Sequence, residues 1–249
     1  FFAGDMGVQW GVRLQHATGK NEPTGGIKQE SDVLGLGLGV VKNNIEAYAN
    51  LLLKDESKGG TAANDSFEAD MGMNLGASYG MGDMTFYADY DKSGYETKLA
   101  GAKALERTIT DMTFGVAKIK EISKTAKMFV DLNYNTSKNE EKVGKTEVKE
   151  KALPLTIGFE TEATSWLTLR GSVSQNVVIG ETETKGSGTT TEANSTTVNA
   201  GATMTFGKLM VDGVIGTTGG SRTASTVGTK EGTLATDNLM TRVAVHYWF

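Results

Sequence analysis

Alternation of apolar and polar residues with a period of two, sustained over nearly the whole chain, constrains this sequence more than any other feature. A helix places neighbours every 3.6 residues on one face, whereas a strand sends successive side chains to opposite faces. Trp10, Val12 and Leu14 alternate with Gly11, Arg13 and Gln15. Leu34, Leu36, Leu38 and Val40 alternate with glycines. Met84, Phe86, Ala88 and Tyr90 stand against Thr85, Tyr87, Asp89 and Asp91. Met128, Val130, Leu132 and Tyr134 stand against Phe129, Asp131, Asn133 and Asn135. Twelve such segments are predicted, the last being "VAVHYWF" at 243–249.

The connections alternate as well. After odd strands they are long and polar, as in "KDESKGGTAANDSFE" and "SKNEEKVGKTEVKEK"; after even strands they are short, as in "MGD" and "GK". Lys42-Asn43 is expected to turn the chain with Val40 opposite Ile45, and Gly207-Lys208 with Phe206 opposite Leu209. Long connections at one end and short ones at the other are the pattern of a transmembrane barrel. Each alternating run is about 10 residues, the length a tilted strand needs to cross hydrocarbon. A sheet in lipid has to close, because an open edge leaves backbone groups unpaired. The expectation is therefore an all-β, closed antiparallel up-and-down transmembrane β-barrel of 12 strands, forming a single domain over residues 1–249.

The pattern alone does not decide which face is inside. A soluble barrel reverses the arrangement and hides the apolar set. Three features favour apolar residues outside. The opposite face is rich in glycine and small residues and too poor in charge for a good soluble surface. Tyr79, Phe86, Trp166, Phe206, Tyr247 and Phe249 gather beside the short turns, as in an interfacial aromatic girdle. Twelve strands also enclose more space than apolar side chains fill. The chain has no run long and apolar enough for a membrane helix, and "FFAGDMGVQW" lacks the features of an export signal. We therefore read it as a mature form from which such a signal has been removed.

The ending "VAVHYWF" resembles the C-terminal signature of Gram-negative outer-membrane β-barrels: a terminal Phe249, Tyr247 two before it, and alternating apolar residues upstream. "IGFETEATSWLTLRGSVSQ" is similar to a hairpin common in such barrels, with Trp166 at the inner turn and Arg170 in the lumen. The resemblance implies a bacterial outer-membrane location, short periplasmic turns, long extracellular loops, and a last strand that the barrel assembly machinery reads and that pairs with the first. It also implies outer-membrane lipid and lipopolysaccharide as surroundings, and a monomer or homo-oligomer.

With that orientation the expected pore-lining residues are Arg13, Glu46, Asp70, Asn74, Asp89, Asp91, Asp111, Asp131, Glu160, Arg170, Asp212 and Arg242. Glu68 and Lys127 share their parity, and acids outnumber bases. Such a wall either braces itself through ion pairs, as Glu160 and Arg170 are placed to do, or lowers the energy of a passing cation. The third long connection, "TKLAGAKALER", has the composition of a short helix, so Lys98, Lys103, Glu106 and Arg107 are candidates for a loop that folds into the mouth and constricts it.

The expected function is a porin-like channel for passive diffusion of small hydrophilic solutes or ions, with a mild cation preference. The alternative is a structural or surface-interaction barrel with a closed lumen. An outer-membrane lipase or protease is the least favoured. The chain has two histidines: His16 at the outer end of the first strand and His246 near the inner end of the last, too far apart to act together. No enzyme activity, cofactor or metal is expected. Cysteine is absent, calcium-loop spacing is missing, and Asp89-Tyr90-Asp91 reads as lumen wall. A net charge of −5 with interspersed lysines argues against nucleic acid as a partner.

Overall fold

The computed structural model describes residues 2–5, 7–24, 27–59, 64–191, 196–217 and 239–248. Among them every regular element is a strand, and the fifteen strands form one sheet. They are β1 (Phe2–Asp5), β2 (Gln9–Asn21), β3 (Gln29–Lys42), β4 (Ile45–Lys58), β5 (Ser66–Ala69), β6 (Gly72–Met81), β7 (Met84–Leu99) and β8 (Ala102–Ser123). The rest are β9 (Ala126–Glu141), β10 (Thr146–Thr164), β11 (Leu167–Thr184), β12 (Gly188–Thr191), β13 (Thr196–Phe206), β14 (Leu209–Thr217) and β15 (Leu239–Tyr247). Neighbours in sequence are neighbours in space, and every pairing is antiparallel. β5 and β6 lie end to end between β4 and β7, while β12 and β13 lie along β11.

Two expectations need correction. Among the described residues the strands number fifteen, because β1 is added, one pass breaks at Asp70–Met71, and the fifth long connection contributes β12. The sheet is also open. Among the described residues β15 pairs only with β14, and no strand joins it to β2. The short-turn end of β2's edge, Gln9–Val12, is taken by β1, with Phe2 opposite Val12 and Asp5 opposite Gln9. Those hydrogen-bonding positions are therefore filled by the chain's own start.

The short turns are tighter than the sequence implies. Each has two residues: Asn43–Asn44, Gly82–Asp83, Lys124–Thr125, Ser165–Trp166 and Gly207–Lys208. Asn43 has φ of 51°, a left-handed value that asparagine tolerates, so Lys42 pairs with Ile45 and Val40 with Ala47, two residues beyond the expected partner and on the same face. Phe206 lies opposite Leu209 as expected.

The long connections differ more. "TKLAGAKALER" forms no helix; β7 and β8 run on to a two-residue turn at Ala100–Gly101, whose φ angles of 51° and 83° suit a tight hairpin. The following connection is also mostly strand, closed by the turn 142–145. Strands in the middle of the sheet thus reach 16–22 residues, well past the alternating apolar runs.

The two faces change character along these strands. On one face β8 carries Val116, Phe114 and Met112, then Thr110, Thr108 and Glu106 towards the long-connection end. On the same face β9 passes from Leu132 and Tyr134 to Lys138 and Glu140, and β10 from Ile157 and Leu155 to Lys149 and Glu147. The opposite face changes on β8. There β8 passes from Gly115, Thr113 and Asp111 to Ile109, Arg107 and Leu105. An apolar belt at the short-turn end thus gives way to a charged surface, while the polar face behind it gains apolar side chains on β8 beside Arg107 and stays polar on β9, through Asn135, Ser137, Asn139 and Glu141.

Candidate functional site

The polar face behind the belt carries the sequence-predicted residues. One register row crosses six strands: Arg13 opposite Gly37, then Asn50, Asn74, Asp91 and Asp111. Nearer the short turns, Tyr48, Gly76 and Asp89 share another row, and Glu46 lies opposite Ser78. Across the far half, Glu160 faces Arg170, which leads through Gly201 and Val214 to Arg242. Asp131 lies opposite Thr156, and Asp212 opposite Thr203. Eleven of the twelve expected pore-lining residues therefore share this face.

Asp70 is the exception. The break between β5 and β6 sets two residues, Met71 and Gly72, against Ser93 alone, because Asp70 N–H donates to the Gly94 carbonyl and Met73 already pairs with Lys92. Such a bulge flips the parity of everything beyond it. Asp70 and Glu68 consequently lie on the face of Lys92 and Glu96, away from the other carboxylates.

The face is braced by side chains that reach over glycines. Tyr48 lies across Gly76 and donates to Asp89 Oδ1 at 2.7 Å; Tyr87 lies across Gly115 and donates to Asp131 Oδ1 at 2.7 Å. A Cβ on either glycine would overlap the ring, which gives these glycines a packing role. Phe129 covers Gly158 in the same way. Alternation had put both tyrosines on the polar face without giving them a role. A tyrosine paired with a glycine on the next strand is the signal that was available.

Ion pairs hold the far half. Arg170 Nε donates to Glu160 Oε2 at 2.6 Å, and its Nη1 lies 3.6 Å from Asp212. Asp212 also accepts from Thr203 Oγ1 and lies 3.6 Å from His246 Nε2. Charge is unevenly spread: Glu46, Asp89, Asp91, Asp111 and Asp131 on β4 and β7–β9 outnumber Arg13 on β2, whereas Lys127, Arg170 and Arg242 on β9–β15 stand among Glu160 and Asp212. Two hollows open on this face. One of about 1000 Å³ is bounded by Phe129, Arg170, Ser172, Asn199, Asp212 and Arg242. The other, about 640 Å³, is bounded by Gln9, Glu46, Tyr48, Ser78, Tyr87 and Asp89.

The remaining candidates lie elsewhere. Lys98, Lys103 and Glu106, expected to constrict the mouth, are on the charged surface beyond the apolar belt; Lys103 Nζ binds Glu96 and Glu106, each at 2.6 Å. Only Arg107 of that set shares a face with the pore-lining carboxylates. The Lys103 and Lys142 ammonium groups push the Glu106 carboxyl down to about 2. His16 is on the apolar side, 3.0 Å from Asp32, which also binds Lys54 at 2.7 Å. Tyr247 ends β15 on the apolar side, opposite Leu209, while Phe249 lies outside the described residues.

No protein family and no curated protein matches this chain. Two solved structures are similar in outline. One is OmpT, an outer membrane protein of Vibrio cholerae, at 12% identity and a TM-score of 0.45, covering 98% of this chain and 99% of that one. The other is a deltaS2 mutant of the TodX monoaromatic hydrocarbon channel, at 10% identity and a TM-score of 0.43, covering 97% of this chain and 80% of that one.

Proposed function

We propose that this chain is an outer-membrane channel that passes small hydrophilic solutes and ions by diffusion, with a mild preference for cations. The observation that carries the proposal is an exposed apolar belt that ends in a charged surface along the same strands, with a polar face behind it. Within the belt Leu14, Phe114, Val243 and Val245 are 50–68% exposed, and no large side chain is fully buried among the described residues. In water that belt would be a very large apolar patch; in lipid it is solvated by acyl chains. Beyond the belt the same face carries lysine and glutamate, as a surface returning to water does.

In this reading the polar face lines an aqueous lumen. In the membrane β15 meets the free outer part of β2's edge, so the twelve passes close and no backbone edge faces lipid. Tyr247 and Phe249 serve recognition by the assembly machinery, and the lysines above the belt meet lipopolysaccharide. Glu46, Asp89, Asp91, Asp111, Asp131, Glu160 and Asp212 outnumber Arg13, Lys127, Arg170 and Arg242 on the lumen wall, which lowers the energy of a cation there.

Planar-bilayer recording tests this. Ohmic steps are expected, with a reversal potential of cation-selective sign in a KCl gradient. Arg170→Met, which strips the cation from Glu160 and Asp212, shifts that potential further in the same direction. A folded, silent protein points instead to a structural or surface-interaction barrel. Lipid or peptide turnover abolished by His16→Ala points to an enzyme.

A further inference from the structure

We propose that the inner face of the extension beyond the belt holds a binding site for a small aromatic carboxylate. Three adjacent strands, β5, β7 and β8, supply it, with β10 beyond β9. Phe67 on β5 and Tyr95 on β7 stack with ring centroids 5.6 Å apart and planes at 29°. Leu105 and Ile109 on β8 share their face, since Thr97 pairs with both Phe67 and Leu105, and Ser93 pairs with Ile109. Val148 on β10 joins through Asn139, which pairs with both Ile109 and Val148. All five are half-buried.

Arg107 stands in the middle of this patch, opposite Tyr95 on one side and Glu141 on the other. Its Nε is the one buried side-chain polar atom without a hydrogen-bond partner among the described residues. The adjacent acid is already engaged: Glu141 accepts from Val143 N–H at 2.8 Å and from Gly144 N–H, closing the turn 142–145. The lysines above are likewise occupied on the opposite face, Lys103 by Glu96 and Glu106, and Lys142 by Glu106.

Buried polar groups are ordinarily satisfied, so an N–H left open beside an aromatic pair marks a missing acceptor. A guanidinium suits a carboxylate, which accepts two parallel hydrogen bonds. A flat ring attached to that carboxylate finds an offset-stacking partner in Tyr95 or Phe67 and apolar walls in Leu105 and Ile109. A plain inorganic anion leaves the aromatic pair unused, and a neutral arene leaves Nε unsatisfied.

The site rests on the reading that this face lines a lumen open to the outside, and the test separates the two. Full-length protein in lipid nanodiscs at pH 7.5 is titrated with 4-fluorobenzoate and followed by fluorine NMR. The expected result is saturable binding that Arg107→Gln weakens at least tenfold and Lys103→Gln leaves unchanged. 4-Fluorobenzyl alcohol binds more weakly and is insensitive to Arg107→Gln, and acetate competes poorly. If Arg107→Gln fails to fold, Phe67→Ala, which keeps the cation, is expected to weaken benzoate but not acetate. Benzoate binding untouched by both variants, or acetate competing as well as benzoate, overturns the site. A conducting protein that ignores 4-fluorobenzoate overturns the site alone; a silent protein that binds it overturns the channel alone.

Discussion

Residues 112–116 and 104–110 of the same strand obey opposite rules. In the first stretch Met112, Phe114 and Val116 face outward and Thr113 and Gly115 inward; in the second Glu106, Thr108 and Thr110 face outward and Leu105 and Ile109 inward. Pairing with β7 and β9 is continuous across the junction, so the proposed function assigns the difference to the surrounding medium. Where the outer surroundings are hydrocarbon, apolar side chains go out and polar groups bind one another or water within. Where water surrounds the outside, charged side chains face it, and apolar ones such as Leu105 and Ile109 can turn in beside Arg107. On the proposed membrane reading, the strand crosses the boundary between lipid and water between these two stretches.

The most damaging way to disturb this arrangement is a charge in the belt. Phe114→Arg is expected to cost about 2–4 kcal/mol, while Thr108→Arg, on the same face of the same strand, costs about 0–1. Urea unfolding from lipid vesicles measures both, and equal costs would remove the boundary between the two regions. Packing on the lumen side comes next. Gly115→Ala pushes a Cβ into the Tyr87 ring and should cost roughly 1–3 kcal/mol, whereas Gly39→Ala, on the same face and meeting nothing within 4 Å, should stay within about 0.5. The same titration compares them.

A smaller effect sharpens the contrast on the inner face. Ile109→Asn, in the extension, should cost about 1 kcal/mol because a half-buried apolar side chain is lost, and Thr113→Asn, four residues further along the same face, close to nothing. Limited proteolysis of the β7–β8 hairpin reads the difference. The weakest effect belongs to the exposed ion pairs. The carboxyl of Glu106 is depressed from 4.5 to about 2, so the stability it contributes is present above pH 4.5 and disappears as pH falls through about 2. Acid below pH 3, or high salt, should loosen the hairpin tip slightly and leave the belt intact, as hydrogen exchange at residues 98–106 will show.

Much of this was legible in residue order. Alternation placed eleven of the twelve lumen candidates on one face, and the pairing of Glu160 with Arg170 followed from their hairpin. The failures share a cause. "TKLAGAKALER" and "SKNEEKVGKTEVKEK" read as loops because their apolar residues change parity and their amplitude falls, which breaks the template that found the belt. They are strands: in the first, β8 turns Leu105 and Ile109 to the face that is polar elsewhere, and in the second both faces are largely polar. Asp70 was misplaced because a bulge shifts parity without leaving a mark in composition.

The sequence by itself determined the material of the sheet: a period of two, one apolar and one polar face, acids in excess, and short connections gathered at one end. These follow from local geometry, which each residue carries with it. The tertiary structure alone decided which residues meet across strands. It laid Tyr48 and Tyr87 over glycines, moved Asp70 to the other face, set β1 against β2, and left the Nε of Arg107 open between Tyr95 and Glu141. Those outcomes depend on register between segments distant in the chain, and register comes from bulges and pairings that no single strand encodes.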